Sequence, residues 1–207
     1  MKQNHYKVVY CDPPWSFETY SAKGKTEKSP EAHYRTTSTE ELKSLPVSDW
    51  AAKDAVLLMW IVDSHLEQAL DLIKAWGFTF KTIGFNWVKI TKGSTPENPV
   101  PRMSLGLWTR KESEICLLAT RGKPSRIGKG VRQVVLEAAR EHSRKPDCVR
   151  ERIEELLEGP YLEMFARTTR DGWDAFGDEV GKLDAKAVSA PAKSPKSGRV
   201  NLMDLVG

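Results

Sequence analysis

The sequence predicts an α/β fold built on a largely parallel sheet, and three observations predict it. Short runs rich in β-forming residues alternate along the chain with segments whose apolar residues recur at helical spacing. Some of those runs, Ala55–Val62 and Ile115–Ala119 among them, are apolar at consecutive positions, the pattern of strands buried on both faces. The 207 residues, 40% of them apolar, suit one domain with a sizeable core.

Taken in order, Tyr6–Cys11 reads as a short strand, stopped at once by Asp12-Pro13-Pro14. Residues 16–37 are polar, with Gly24 and Pro30, and read as a long loop of the kind that carries function or is disordered. Ser38 to Glu41 is a capping-box pattern opening a short helix. Ala55–Val62 is a buried strand. Ser64 to Glu67 is a second capping-box pattern, ahead of a helix with Leu66, Ala69, Leu70, Ile73 and Trp76 on one face and Gly77 as its stop. Phe78–Ile90 is β-rich, with a phase change near Gly84 that marks a bulge or a turn. A loop follows over 91–110, broken by Gly93, Pro96, Pro99 and Pro101. Ile115–Ala119 is a strand and Val131–Ala138 a further candidate. Pro146 suits the first turn of a helix whose apolar stripe is Val149, Ile153, Leu156 and Leu157 and which ends at Gly159-Pro160. Tyr161–Phe165 reads as the last strand. The folded domain is thus expected over 1–183, with 184–207, rich in Ala, Ser, Lys and Pro, as a disordered tail.

Composition excludes several function classes. No apolar run approaches the roughly 18 residues of a membrane helix, and the first residues show no secretory pattern, so a soluble, cytoplasmic protein is expected. The three cysteines, Cys11, Cys116 and Cys148, are odd in number and far apart, which argues against disulfides or a CxxC site. The four histidines form no metal-binding motif, so no metal is expected. The net charge of +4 is uneven. Residues 81–133 hold eleven Lys and Arg against three acids, and the stretch from Arg121 through Lys123, Arg126 and Lys129 to Arg132 has no acid at all. A basic, Gly-rich segment of this kind can track phosphates, although a solvated loop would look the same.

Ligands of parallel sheets bind beyond the carboxyl ends of the strands, where Asp12-Pro13-Pro14-Trp15 lies. Each proline fixes its own φ and keeps the preceding residue extended. The Asp12 carboxylate and the Pro13 carbonyl can therefore project together as a stiff pair of acceptors, followed by the aromatic plane of Trp15. An adenine amino group offers two N–H donors on a planar ring, and its lone pair is delocalised. Two acceptors gripping both N–H bonds favour pyramidalisation and direct the lone pair at a cationic methyl donor. Trp15 can stack on the base, worth roughly 1–3 kcal/mol. Positioning and electrostatics carry the rest of the rate, and Asp12 or water can take the proton after transfer.

The chain resembles the methyltransferase-A-seventy family of adenine methyltransferases over about residues 6–180. Asp12-Pro13-Pro14-Trp15, Tyr34 in the loop before a capped helix, Asn86-Trp87-Val88-Lys89, Lys145-Pro146-Asp147, Glu163 to Arg167, and Gly172-Trp173 through Gly177 match the family's blocks in order. The resemblance implies a Rossmann-like S-adenosylmethionine-dependent methyltransferase fold with permuted motif order, the catalytic strand first and the cofactor strand last. It implies that Asp12 holds the target amine and meets the methionine amino group, and that Lys145 pairs with the methionine carboxylate. Phe165, Arg167, Thr169 and Arg170 would surround the adenosine end, with Asp178 and Glu179 near the ribose or adenine, and Tyr34 would close over the target base. Thr169-Arg170 and Phe176-Gly177-Asp178-Glu179 depart from the family's commoner residues, and Phe165-Ala166-Arg167 lacks a Gly-x-Gly.

Nucleic-acid contact falls to Tyr34, Lys89, Arg121, Lys123, Arg126 and Lys129 on this reading. DNA is the favoured substrate, because a compact chain with a basic region and no zinc fingers resembles the bacterial and phage members. RNA is the alternative, as is a catalytically silent nucleic-acid-binding paralogue, against which the intact Asp12, Trp15 and Lys145 argue. Related sites act on cytosine amines or glutamine amides, and the basic 81–133 region argues against a protein acceptor. A monomer or a homodimer is expected.

Overall fold

The structure, a computed structural model, describes residues 1–15, 37–95, 97–140 and 144–184. Tyr34 and the tail expected beyond Asp184 lie outside the described residues. The elements run β1 (Tyr6–Cys11), α1 (Thr39–Lys43), α2 (Val47–Trp50), β2 (Ala51–Ile61), α3 (Leu66–Ala75), β3 (Thr79–Ile90), β4 (Ser113–Arg121), β5 (Val134–Ala138), α4 (Cys148–Leu156), β6 (Tyr161–Met164) and β7 (Trp173–Phe176). The seven strands form one sheet in the order β5-β3-β4-β2-β1-β6-β7. Every adjacent pair is parallel except the two that involve β4, which runs against both β2 and β3. This is the Rossmann-like α/β architecture expected, with one strand reversed inside it.

The apolar runs explain the layering. β1 and β2 are buried on both faces because alternate side chains enter two cores. Val9, Cys11, Leu57 and Met59 meet Leu42, Val47, Ala69, Leu72, Ile73 and Trp76 from the helices on one face. Val8, Tyr10, Leu58 and Trp60 meet Val149 and Ile153 of α4, and Leu157 just past its end, on the other.

Local signals worked where nothing competed with them. Both halves of the capping box form at Ser38: its Oγ accepts from the Glu41 N–H, and its own N–H donates to the Glu41 carboxylate at 2.9 Å. The box at Ser64 does not form. A 3-10 turn over Asp63–His65 encloses Ser64, so its hydroxyl meets His65 Nδ1 at 3.0 Å and His65 becomes the cap residue of α3. The buried face of α3 is consequently Ala69, Leu72 and Ile73, while Leu66 is exposed. The phase change at Gly84 is a bulge within one continuous strand, with the register shifting between Ile83 and Phe85. A Cβ at Gly84 would meet Leu58 Cδ2 at 3.0 Å and Leu118 Cβ at 3.2 Å, so glycine allows a close approach there that a larger residue would have to push apart. β7 and α2, four residues each, were not expected.

Trp76 closes α3 fully buried, with its indole N–H donating to the Leu42 carbonyl at 2.9 Å. Trp76→Ala is expected to destabilise the protein by about 3–5 kcal/mol, through lost burial, a cavity and an orphaned carbonyl. Urea unfolding should show a lower midpoint at unchanged slope.

Candidate active site

β1 ends where its donors end. Of residues 13–15 only Trp15 has a backbone N–H, and it donates to the Pro13 carbonyl at 2.9 Å, while the Pro14 carbonyl accepts from Thr37 at 2.9 Å. Trp15 is 4% exposed, its indole N–H lies 3.4 Å from the Trp60 carbonyl, and its ring centroid lies 5.7 Å from that of His65. Two sequence expectations change. The Pro13 carbonyl is partly engaged, because it is the acceptor nearest the turn's one donor, and Trp15 is packed against the core instead of standing open as a platform. Asp12 keeps its expected place, with a third (33%) of its side chain exposed.

Asp12 is held by charge. Lys145 Nζ lies 2.7 Å from Asp12 Oδ2 and 3.3 Å from Glu114 Oε2, and Lys89 Nζ lies 2.5 Å from Glu114 Oε1. The chain Lys89–Glu114–Lys145–Asp12 therefore alternates in sign and ties β3, β4 and the approach to α4 to the end of β1. Burial pushes the Asp12 carboxyl up, and the Lys145 ammonium opposes this without cancelling it. Burial also pushes Glu114 up, but Lys145 and Lys89 together outweigh it and hold that carboxyl down to about 2. For Lys145, burial acts downward and the two carboxylates win, so it stays charged. An ammonium has three N–H donors. Two face Asp12 and Glu114, and Nζ also lies 5.6 Å from the centre of the Trp60 ring.

Beside this cluster an open cleft runs between the end of β1, the start of α4 and the end of β6. Its wall includes Asp12, Lys145, Phe165 and Arg167, four of the residues assigned to a cofactor from the sequence, together with Asp147, Arg150 and Glu163. Phe165 takes φ +60°, which ends β6 and turns the chain across the cleft. That turn packs on Gly177, where a Cβ would lie 2.9 Å from Phe165 Cα, so only glycine lets the two segments approach.

The remaining candidates sit elsewhere. Arg167 pairs with Glu179 at 3.0 Å, so Glu179 stands behind the cleft wall, while Asp178 is exposed. Thr169 bonds Asp184 through its N–H and hydroxyl. Arg170 forms a two-pronged pair with Glu154, both bonds at 2.8 Å. Lys89 joins the cluster. The basic segment does not. Arg121 is level with Ala55, toward the amino end of β2, and donates to the Ser48 carbonyl. The N–H of Lys123 donates to Asp54, and Ile127 and Gly128, between Arg126 and Lys129, are tied to Leu156 at the far end of α4. Arg121, Lys123 and Arg126 thus lie toward the end of the sheet opposite Asp12.

Sequence reasoning missed Glu114 and the Arg150 group. Glu114 borders an apolar run and gains meaning only through its pairing with Trp87, two residues before Lys89. Arg150 left a usable signal, since it falls three residues before Ile153 on the apolar face of α4. It is 7% exposed and bonds Asp147, Glu163 and Thr168 at 2.9–3.0 Å.

An acidic acceptor at one strand end, a cationic side chain locked to it and an open cleft along the next strand lie together where sheets of this kind bind ligands. The MT-A70 family model matches residues 6–179, and the chain belongs to that family of adenine methyltransferases. It is 29% identical to the type II methyltransferase M.MunI of a Mycoplasma species over 87% of this chain and 80% of that protein. It is 27% identical to the N6-methyladenosine RNA methyltransferase MTA1 of Pyricularia oryzae over 94% of this chain and 52% of that protein. It is 24% identical to the N(6)-adenosine-methyltransferase subunit METTL3 of Danio rerio over 95% of this chain and 32% of that protein. Among the described residues no helix is long and apolar enough to cross a membrane.

The depressed Glu114 carboxyl yields a prediction about acid stability. A folded-state pKa below the unfolded one stabilises the fold above the unfolded value, and that contribution is lost as pH falls toward about 2. Its size is on the order of 3 kcal/mol. Glu114→Gln should flatten the dependence of stability on pH between about 4.5 and 2, measured by urea unfolding across that range.

Proposed function

We propose that this protein transfers a methyl group from S-adenosylmethionine to the exocyclic nitrogen of adenine in DNA, within the cytoplasm. The observation that carries the reading is the Asp12 carboxylate at the mouth of the cleft, with one oxygen bonded to Lys145 and the other available to a substrate N–H. The permuted motif order, with β6 as the cofactor strand, is part of the reading.

The cleft residues fit the cofactor. Asp12 is an acceptor for the methionine amino group, and Lys145 has a third donor for its carboxylate. Phe165 and Arg167 offer an aromatic face and a planar cation for the adenosine end, and the Gly177 contact keeps the turn that carries them close to the sheet. The bound cofactor supplies an electrophilic methyl on a sulfonium. The protein's part is to hold the amine. Asp12 accepts one N–H, and the second lone pair of the Pro13 carbonyl remains for the other. Lys145 keeps Asp12 from turning away, and Glu114 and Lys89 keep Lys145 in place. Once the nitrogen carries the methyl, its proton leaves to Asp12 or to water.

DNA is favoured over RNA because the type II methyltransferase M.MunI matches 87% of this chain along 80% of its own length. Phosphate contact is expected from Arg102 and Arg110, which are exposed on the loop leading into β4, more than from Arg121, Lys123 and Arg126 at the other end of the sheet. Reversing the charge of Arg102 and Arg110 should weaken DNA binding and lower its salt slope by roughly one per lost contact, whereas reversal at Lys123 and Arg126 should leave the slope unchanged, as read by titrations at several salt concentrations.

Incubation with labelled cofactor and either duplex DNA or RNA, followed by nucleoside mass spectrometry, should yield N6-methyladenine in DNA. Product in RNA alone would reject the substrate assignment. Asp12→Asn should lower turnover at least about 10²-fold while the protein stays folded. Protonation removes the charge that makes Asp12 a strong acceptor and turns one of its oxygens into a donor, so turnover should fall as pH drops through its pKa, which burial raises above the ordinary aspartate value.

A further inference from the structure

The loop between β3 and β4 is a built projection with an apolar end. Its arms are bonded to the strands: Thr91 N–H donates to the Val100 carbonyl at 2.9 Å, Arg102 N–H to the Lys89 carbonyl at 2.6 Å, and Lys89 N–H to the Glu112 carbonyl at 2.8 Å. Ser104 and Lys111 exchange both backbone hydrogen bonds, at 2.8 and 3.1 Å, and so close the tip. Inside the tip a Cβ on Gly106 would lie 2.1 Å from the Thr109 carbonyl oxygen, so the turn is tight and requires glycine. Lys111 Nζ lies 3.2 Å from Asp63 Oδ2, which braces the projection against the end of β2.

This held tip presents Met103, Leu105, Leu107 and Trp108 at 65, 83, 88 and 100% exposure. Four large apolar side chains cost hydration in a free protein, and a contiguous patch of that kind marks a contact surface. Its chemistry selects the partner. From Asn98 to Lys111 there are three cations, Arg102, Arg110 and Lys111, and no acid. An apolar wedge between cations fits a stack of bases between phosphates better than it fits a neutral protein surface. Its place fits too. The root of the projection, Lys89 and Glu114, is linked through Lys145 to Asp12.

We propose that Trp108, with Leu105 and Leu107, enters the base stack of duplex DNA and fills the gap left when the target adenine swings into the Asp12 cleft. This rests on the DNA reading above. A paired adenine cannot present both amino N–H bonds to Asp12 and Pro13 while it stays in the helix, so it must be extruded. An aromatic wedge lowers the penalty of the vacancy by restoring stacking.

The test begins by mapping the methylated site in unmethylated plasmid DNA with the wild-type protein. Two duplexes carrying that site are then compared, one fully paired and one with an abasic position opposite the target adenine. Trp108→Ala, and separately Leu105→Ala with Leu107→Ala, should lower kcat/KM at least about tenfold on the paired duplex and less than about threefold on the weakened one. Equal losses on both duplexes, or none on either, would overturn the wedge. So would a Trp108→Ala protein that sediments as a monomer where the wild type is a dimer, which would assign the tip to a second copy of the chain. A wild-type protein that methylates neither duplex would reject the DNA reading itself, and that failure is distinguishable because it does not depend on the variant.

Discussion

The alternating chain Lys89–Glu114–Lys145–Asp12 is the constraint on which the site depends. Two prolines strip the end of β1 of donors, and burial disfavours a carboxylate there. Lys145 supplies the compensating charge but is itself the most buried member of their pair, with 14% of its side chain exposed. Asp12 and Glu114 both favour its charged form against burial, and Lys145 and Lys89 do the same for Glu114. Such a cluster is tolerated because each interior charge is paired on two sides, which offsets the desolvation that makes isolated buried pairs poor sources of stability. The return is positional: an acceptor oxygen fixed at a cleft mouth without relying on a flexible loop.

The reversed strand β4 makes this possible. Its first residues lie at the carboxyl ends of the parallel strands and its last residues at their amino ends. Glu114 thereby reaches Lys145, and Arg121 is carried away from Asp12. The same reversal turns the connection between β3 and β4 into a projection that leaves the sheet beside the Asp12 cluster. One topological choice accounts for the acid that completes the site, for the basic segment that does not join it, and for the location of the apolar tip.

One wall of the cleft rests on backbone close to the strand end. Phe165 adopts a positive φ, and the turn it begins is accommodated by the missing side chain of Gly177. Arg150 anchors the opposite wall by bonding Asp147, Glu163 and Thr168 at once. Burial raises the Glu163 carboxyl, and the Arg150 guanidinium works against it. The MT-A70 match over residues 6–179 spans both walls.

Much was legible in the order of residues because it depends on near neighbours. Proline rigidity at 13 and 14, the capping box at Ser38, the apolar runs of β1 and β2 and the stripe of α4 are all local, and each appears where expected. The motif at Asp12 identified the acceptor, and its position after a buried strand placed that acceptor at a carboxyl end. Tertiary structure decided what depends on partners distant in the chain. Whether Ser64 caps a helix was settled by the turn that precedes it, and whether Trp15 stands open by the packing of Trp60 and His65. The pairing of Glu114 with Lys145 and the direction of β4 join residues tens of positions apart, and no local spacing encodes them. Charge counts along the chain showed that cations are plentiful; only the course of the strands determines which end of the sheet they occupy.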